Sequence, residues 1–249
     1  MGLLGSSDLT VVIPARNAEL TVVETISSII ADHESPPTVI VVDDRSTDAT
    51  AAVAVAAGAT VLASLRPGPG AARNTGVAQV ETELLAFCDA DDWWTPHRLT
   101  EHLEALGDPE LDLVLGRTQY HVVGAAGTDL LVGHHFDSDD QTAVLPSFGA
   151  ATMRCAAFHR AGPIDESLSN YEDYEWFYRA RDMGLTMTTA DGIAQCRRVT
   201  GFTTSRLNPP SPGDLLRVMQ RSIRRRRSLG LSRDAAPISD LGRLNGNGH

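Results

Sequence analysis

The chain has 249 residues, 42% of them hydrophobic, and carries a formal net charge of −11 at pH 7. This length suits one large domain or one and a half small ones. The acidic balance argues against a general nucleic-acid binder. No apolar run is long enough for a transmembrane helix or a signal peptide, so we expect a chain without a membrane span.

Cysteine spacing and charge distribution add two expectations. Cys88, Cys155 and Cys196 have neither the spacing of a zinc site nor that of a disulfide framework, which favours a reducing cytoplasm. Residues 214–249 hold eight arginines against three aspartates, whereas the rest of the chain is strongly acidic. The C-terminal segment therefore differs in kind from the body.

Strand and helix patterns alternate through the first half of the chain. Short apolar runs predict strands at 9–14, 38–44, 59–64 and 83–89, and apolar periodicity, caps or a first-turn proline predict helices at 19–32, 46–58, 71–80 and 96–107. Both faces of these strands are apolar, so the sheet is expected to be parallel and covered on both sides. Ligands of such sheets bind beyond the carboxyl ends of the strands.

The alternation weakens after residue 115. The remaining pattern predicts two short strands at 111–116 and 118–123, a polar loop at 133–150, a helix at 171–184, a strand at 185–190, a linker at 209–213, a basic helix near 214–227 and a disordered segment at 228–249. In the polar loop, His134 and His135 lie near three aspartates. A second metal site could form there, but a mobile acceptor loop is the preferred interpretation.

The stretch "FCDADDWW", residues 87–94, places three carboxylates directly after a very apolar strand. Asp89 and Asp91 repel each other unless a positive charge lies between them. A hard divalent cation such as Mg²⁺ uses one or two carboxylates together with substrate phosphates. An acidic turn in which Asp91 or Asp92 caps the next helix is the alternative.

A second acidic pair, Asp43 and Asp44, ends the second predicted strand on the same edge. A carboxylate there can accept hydrogen bonds from a ribose or a base, while one member of the pair could instead cap the following helix. The glycine-rich signatures of Rossmann and P-loop nucleotide sites are absent from the sequence, so any nucleotide must be held in another way.

An ordered set of motifs resembles the inverting GT-A glycosyltransferases of family 2, from about residue 9 to about residue 205. The motifs are "VVIPARNAE", "VIVVDDRSTDAT", "GPGAARNTGV", "FCDADDWWTP" and "GPIDESLSNYEDYEWFYRARDMG". The resemblance implies an α/β GT-A fold: a Rossmann-like, mostly parallel nucleotide-binding sheet with a smaller mixed acceptor-side region. It implies one domain over 1–205, with a nucleotide-sugar half at about 9–115 and an acceptor half at about 116–205. Residues 206–249 would be linker, basic helix and tail.

The same resemblance implies roles for individual residues. Those expected to bind the nucleotide-sugar are Pro14, Arg16, Glu19, Asp44, Arg73 and Asp89. Asp91 is expected to bind the metal, Mg²⁺ or Mn²⁺, and Asp173 to be the catalytic base, with Glu172 beside it. Where many members carry a histidine late in the domain, this chain has "CRRVTGFTTSR". Arg197, Arg198 or Arg206 could therefore contact the diphosphate instead, and Arg197 and Arg198 are also candidate acceptor contacts.

Physical reasoning adds three expectations about the aromatic and acidic side chains. Consecutive helical residues point in different directions, so only one of Glu172 and Asp173 should face the site. Tyr171, Tyr174 and Trp176 could wall that base and raise its pKa by excluding water. Of Trp93 and Trp94, one should stack on a sugar, for which Trp93 is the candidate, and the other should be core.

The implied reaction is single-displacement transfer of one sugar from a nucleoside-diphosphate sugar, with UDP as the default, to an unidentified hydroxyl acceptor. The alternatives are a non-catalytic sugar-nucleotide-binding protein and a sugar nucleotidyltransferase, which the absence of lysine and of a glycine-rich first loop disfavours. The basic helix could lie on an anionic membrane surface or form a solvated or partner-binding tail. Its apolar residues are Leu215, Leu216, Val218, Met219 and Ile223.

Overall fold

A computed structural model of the chain describes residues 4–31, 33–123, 142–199 and 212–231. The predicted histidine pair of the polar loop, Arg206, most of the predicted linker and residues 232–249 lie outside these ranges.

Within the described ranges, nine strands and seven α-helices follow one another along the chain. The strands are β1 (Leu9–Ala15), β2 (Thr38–Asp43), β3 (Thr60–Ala63), β4 (Leu84–Phe87), β5 (Trp93–Trp94), β6 (Leu113–Val122), β7 (Thr142–Ala143), β8 (Ala151–Arg154) and β9 (Met187–Val199). The helices are α1 (Val22–Ile30), α2 (Thr50–Ala56), α3 (Pro69–Val77), α4 (Arg98–Leu106), α5 (Cys155–Ala161), α6 (Glu172–Asp182) and α7 (Pro212–Ser228).

The described strands form one mixed sheet in the order β3-β2-β1-β4-β8-β6-β9-β5, with β7 paired to β6. Strands β3, β2, β1 and β4 are parallel neighbours, as the alternating pattern predicts. Strand β8 pairs antiparallel with both β4 and β6, while β6 and β9 run parallel. The predicted α/β class, with a mostly parallel sheet and a smaller mixed region, is confirmed.

Each face of the parallel half is covered by its own apolar layer, because successive strand residues point to opposite faces. Along β1, Val12 faces the layer to which α3 contributes Ala72, while Val11 faces the layer to which α1 contributes Ile26. All four side chains are at most 1% exposed. Because β1, β2 and β4 run parallel between these layers, their carboxyl ends meet at one edge of the sheet.

The second half departs from the sequence prediction. The two strands predicted at 111–116 and 118–123 are one strand, β6, with register irregularities around Arg117. At its centre, a Cβ on Gly116 would lie 2.3 Å from Cβ of Ala194, so only glycine lets β6 and β9 approach this closely. The sequence patterns also missed β8 and α5, whose residues are apolar without a clear period, and stopped β9 short.

The basic helix α7 packs against α6. Val218 is 1% exposed, and Arg225 Nη2 lies 2.7 Å from Oε1 of Glu175. The carboxylate of Asp182 accepts hydrogen bonds from Ser222 Oγ at 2.7 Å and from Arg225 Nη1 at 3.2 Å. These contacts join α7, which lies beyond the predicted domain boundary at residue 205, to α6 of the predicted domain. The domain boundary itself stays a prediction.

Candidate active site

Two loops interlock where β1 and β2 end, and we call residues 16–19 and 43–50 the β1–β2 edge. Asn17 Oδ1 accepts the backbone N–H of Thr47 at 2.8 Å, and Glu19 Oε2 accepts that of Ala49 at 2.9 Å. Asp48 Oδ2 accepts the N–H of Glu19 in return, at 3.2 Å. The carboxylate of Glu19 therefore organises the loops, while Arg16 beside it is exposed and Pro14 is half-buried.

The paired aspartates of the β1–β2 edge serve different partners. Asp44 is 5% exposed, and its Oδ2 accepts the N–H of Gly68 at 2.8 Å. Gly68 has a φ of 106°, which favours glycine, and precedes α3. Asp43 Oδ1 accepts the N–H of Ser46 at 3.3 Å. Neither aspartate caps α2, because Asp48 Oδ1 accepts the N–H of Thr50 at 3.0 Å.

A second acidic region lies where β4 ends and α6 begins, and we call Asp89, Asp91, Glu172 and Asp173 the acidic centre. Arg73 of α3 joins its two sides: Nη2 donates to Asp89 Oδ1 at 2.6 Å and Nη1 to Glu172 Oε1 at 3.1 Å. Burial alone would lower the pKa of Arg73, but Asp89 and Glu172 raise it above its usual value. Arg73, in turn, lowers the pKa of Asp89 against the effect of burial.

The carboxyl groups that follow Asp89 have different environments. Burial and the neighbouring Asp89 raise the pKa of Asp91, so its anion is incompletely compensated. Asp92 is 2% exposed; its Oδ1 accepts the N–H of Arg198 at 2.9 Å and its other oxygen accepts Nε2 of Gln195. Asp92 therefore joins β9 to the acidic loop and does not cap α4, which was the alternative for this residue.

The two candidate arginines of β9 are used differently. Arg198 donates through Nε to the carbonyl of Asp91 at 2.9 Å and through Nη2 to Glu24 Oε2 at 2.6 Å, so its guanidinium braces the loop. Arg197 faces the acidic residues instead. Burial would lower the pKa of Arg197, but Asp92 and Asp89 raise it above its usual value. Of the pair, Arg197 is the cation directed at the acidic centre.

The prediction that only one of Glu172 and Asp173 faces the site is wrong. Glu172 pairs with Arg73, and Asp173 Oδ2 accepts the N–H of Phe148 at 3.4 Å beside the same cluster. Both can do so because they are the first two residues of α6, where no preceding helical turn restricts them. Burial and the adjacent Glu172 raise the pKa of Asp173 to about 6.

The aromatic walls also differ from expectation. Trp176 is fully buried and packs on Phe148 with ring centroids 5.5 Å apart, so it belongs to the core and does not line the base. Tyr174 is close enough that burial and Asp173 raise its pKa to about 12. Tyr171 occupies the left-handed backbone region at φ 62° and precedes the first turn of α6.

The two tryptophans separate as expected into one core and one partly exposed ring. Trp94 is 4% exposed and lies under the guanidinium of Arg98, 3.8 Å from the ring centroid. Trp93 is half-buried, with the guanidinium of Arg198 5.1 Å from its ring and His121 5.0 Å away. Trp93 is thus the tryptophan placed near the candidate site.

Sequence reasoning missed Arg98, a buried arginine that holds the turn next to Asp173. It is 1% exposed; Nη1 donates to the carbonyl of Gly149 and Nη2 to that of Ala151 at 2.7 Å. These bonds hold the turn containing Phe148, whose N–H contacts Asp173. Burial lowers the pKa of Arg98 to about 9. A single arginine within the helical pattern of 96–107 carries no signal of such a role.

The acidic centre is suited to a divalent cation that shares its ligands with a substrate. Among the described residues, no group of three or more His, Cys, Asp or Glu side chains forms a closed metal cage. Mg²⁺ does not need one, since one or two carboxylates and phosphate oxygens suffice. Five carboxyl groups, those of the acidic centre and Asp92, interact with three guanidinium groups, those of Arg73, Arg197 and Arg198. The resulting excess of negative charge fits a cation at Asp91.

Solved structures share this fold. S. aureus TarS in complex with UDP-GlcNAc is similar with a TM-score of 0.67 and 20% identity, over 87% of this chain and 66% of that one. Glucosyl-3-phosphoglycerate synthase from Mycobacterium tuberculosis, in complex with Mn²⁺, UDP and glucosyl-3-phosphoglycerate, is similar with a TM-score of 0.55 and 20% identity, over 90% and 80%.

Sequence relatives agree with the fold. The succinoglycan biosynthesis protein ExoU of Rhizobium meliloti is 38% identical over 107 residues, which are 41% of this chain and 31% of ExoU. The chain therefore spans less than a third of ExoU in this match. Glycosyltransferase AglE of Haloferax volcanii is 24% identical over 212 residues, 78% of this chain and 68% of AglE. The model of the family described as glycosyl transferase family 2 matches residues 10–161, which is more than half of the chain. The chain therefore belongs to glycosyl transferase family 2.

Proposed function

We propose that this protein is a metal-dependent inverting glycosyltransferase. It moves one sugar from a nucleoside-diphosphate sugar, with UDP as the first candidate, to an acceptor hydroxyl in a single displacement. The observation that carries the proposal is the position of Asp173, a carboxyl group with a raised pKa of about 6 beside Asp89, Arg73 and Arg197. An inverting transfer needs one base, poised near physiological pH, that takes the proton of the acceptor hydroxyl.

The donor is held by the strand ends. In this proposal Pro14, Arg16, Glu19 and Asp44 surround the nucleoside, and Asp89 and Arg73 lie beneath the ribose and diphosphate. Mg²⁺ or Mn²⁺ bound at Asp91 supplies charge neutralisation of the diphosphate. Arg197 adds hydrogen-bond donors on the β9 side.

The proposed reaction is a single displacement at the anomeric carbon of the donor sugar. Asp173 takes the proton of the acceptor hydroxyl as that oxygen bonds to the anomeric carbon, and the bond from this carbon to the diphosphate oxygen breaks. Because the attack comes from the face opposite the leaving group, the configuration inverts. The partly exposed Trp93 offers a flat apolar surface to a sugar ring.

Two structural neighbours support the donor and the metal. TarS is described with UDP-GlcNAc, and the mycobacterial synthase with Mn²⁺ and UDP. Their identity to this chain is 20%, so the comparison supports the donor class rather than the sugar.

A donor screen tests the proposal. Thermal shift over UDP-, GDP- and dTDP-sugars, with Mn²⁺ and with EDTA, should show metal-dependent stabilisation by one donor class. That donor should then be slowly hydrolysed, and NMR should show that the released sugar first appears with the inverted anomeric configuration. Tight donor binding without any hydrolysis or transfer would favour the non-catalytic binding protein instead, and synthesis of a nucleotide-sugar from a sugar phosphate would favour the nucleotidyltransferase.

We further propose a cytoplasmic protein that contacts an anionic membrane surface through α7. No helix within the described ranges is long and apolar enough to cross a bilayer. The structure divides the predicted apolar side of α7: Val218 faces α6, whereas Leu216, Met219 and Ile223 are 54%, 45% and 42% exposed. Exposed arginines flank this outer stripe, at Arg217, Arg224 and Arg227. An exposed apolar stripe beside arginines suits an anionic lipid surface.

Vesicle flotation tests this contact. The protein should bind vesicles that contain phosphatidylglycerol and lose binding when Leu216, Met219 and Ile223 are changed together to serine. Val55→Ser, at an exposed valine on α2, is the matched control. Equal binding of the wild type and the triple variant, or a dimer that the triple variant dissociates, would overturn the proposal.

A further inference from the structure

Arg73 occupies an unusual position between the two halves of the candidate site. Its guanidinium is bonded to Asp89, 16 positions along the chain, and to Glu172, 99 positions along the chain. Arg73 is 5% exposed and the Glu172 side chain 10%, so this pair is shielded from water, whereas the Asp89 side chain is 34% exposed. No reaction step described above uses Glu172.

We propose that Arg73 and Glu172 are a pair of positioning residues that hold the first turn of α6 so that the carboxyl group of Asp173 lies beside Asp89 and Arg197. The inference rests on the proposed function, because it assigns a purpose to the orientation of the proposed base. Glu172 does not take the proton itself. It acts through the adjacent backbone and through its charge.

Side chains of α3 hold the first turn of α6 and the segment before it in place. Next to Arg73, the side-chain amide of Asn74 donates to the carbonyl of Ile164 at 2.9 Å, and its Oδ1 accepts the N–H of Ile164 at 2.9 Å. Two consecutive residues of α3 therefore hold both the start of the 164–172 segment and its end. Asp173 follows directly and meets the N–H of Phe148 on its other side.

Removing either Arg73 or Glu172 leaves the other charge buried without its partner. Removing one member of a buried ion pair is strongly unfavourable, because the remaining charge keeps its desolvation cost. Arg73 thus places one guanidinium between the two carboxylates of Asp89 and Glu172. The carboxylate of Glu172 in turn stays next to Asp173.

The charged and titratable groups near Asp173 come from five parts of the fold. They are Glu172 and Tyr174 on α6, Arg73 on α3, Asp89 after β4, Arg197 on β9 and Tyr120 on β6. After burial, Glu172 is the largest influence raising the pKa of Asp173, and Arg73 opposes it. Neutralising Glu172 and neutralising Arg73 should therefore move the pKa of Asp173 in opposite directions, which a purely structural role would not do.

Carboxyl ¹³C NMR on protein labelled at aspartate measures the inference directly. The Asp173 resonance is assigned by its loss in Asp173→Asn. In Glu172→Gln the pKa of Asp173 should fall by about 1, and in Arg73→Gln it should rise by about 1. Asp165→Asn is the matched control: it removes an ion pair with Arg221 from the same segment and should leave the Asp173 titration unchanged.

Kinetics give the second readout. The pH at which kcat/KM reaches half its plateau should move down in Glu172→Gln, while the plateau itself drops about tenfold as the base loses its fixed orientation. If Arg73→Gln does not fold, the double variant Arg73→Gln/Glu172→Gln removes both charges, and the pKa of Asp173 should then lie between that of Glu172→Gln and that of the wild type.

The outcomes separate the two proposals. Shifts of the same sign in both single variants, or no shift in either, overturn the positioning pair even if the protein transfers sugar normally. Opposite shifts in a protein that hydrolyses and transfers no sugar support the pair and overturn the proposed function. A loss of plateau rate in Glu172→Gln as large as that in Asp173→Asn would make Glu172 the base and overturn the inference.

Discussion

The β1–β2 edge and the acidic centre both collect carboxylates at strand or helix ends, but they treat the charge differently. At the edge, Glu19 and Asp44 each accept a backbone N–H from a neighbouring loop, and Asp43 accepts one from its own loop. At the centre, Asp89 and Glu172 share one guanidinium, while the pKa values of Asp91 and Asp173 are raised.

The two regions therefore have different roles, one structural and one chemical. A carboxylate that accepts hydrogen bonds from nearby N–H donors stabilises its loop, so the edge acts as a structural platform. A carboxylate that is buried and crowded by like charges is ready to take up a cation or a proton. The comparison therefore assigns shape to the β1–β2 edge and reactivity to the acidic centre.

The largest expected effect comes from removing the proposed base. Asp173→Asn keeps the shape but cannot accept a proton, so sugar transfer should slow at least about a hundredfold while the donor binds as in the wild type. Single-turnover transfer beside donor calorimetry measures both. Asp48→Asn at the β1–β2 edge is the control and should slow transfer far less. Near wild-type transfer by Asp173→Asn would place the base elsewhere.

The next effect concerns the metal. Asp91→Asn should weaken donor binding in Mn²⁺ at least about tenfold, since even changes around a metal ligand typically cost that much. The same variant should bind the donor in EDTA no worse than the wild type does. Calorimetry with and without EDTA measures both values. Equal affinities for wild type and variant under all conditions would contradict a metal at Asp91.

The pH dependence follows from the raised pKa of Asp173. A base works only when deprotonated, so kcat/KM should hold a plateau above the pKa of about 6 and fall as the pH drops through it. At pH 5 the rate should be about tenfold below the plateau. Buffers of constant ionic strength from pH 4.5 to 8 test this expectation. A profile flat down to pH 4.5 would show that the reaction needs no such group.

The smallest expected effect is a contrast in stability at the far end of α6. There Asp182, which is 3% exposed, is bonded to Arg181 and Arg225, so its charge is compensated and structural. Removing residues 228–249 should leave the melting temperature unchanged. Removing residues 212–249 should lower it by at least about 4 °C, because buried ion pairs lose their partners. Equal melting temperatures for both truncations would show that α7 contributes nothing to the fold.

Much of the nucleotide half was predictable. Strands β1, β2 and β4 are buried on both faces, so each reads as an apolar run bounded by polar residues, and the polar residues fall where the strands end. The pairing of Glu172 with Arg73 was not predictable, because it joins residues 99 positions apart and depends on how the first turn of α6 is set. The same limit hid Arg98, Gln195 and the single strand β6.

By itself the sequence determined the α/β class, the edge of the sheet where the acidic residues gather and the family resemblance, because these depend on local periodicity and on motifs in order. Only the tertiary structure decided which charges meet. Arg73 rather than Arg198 bridges the acidic centre, Arg197 faces it, and Val218 rather than Met219 packs on the body. Each of these follows from burial and distance between segments far apart in the chain, which spacing along the sequence does not encode.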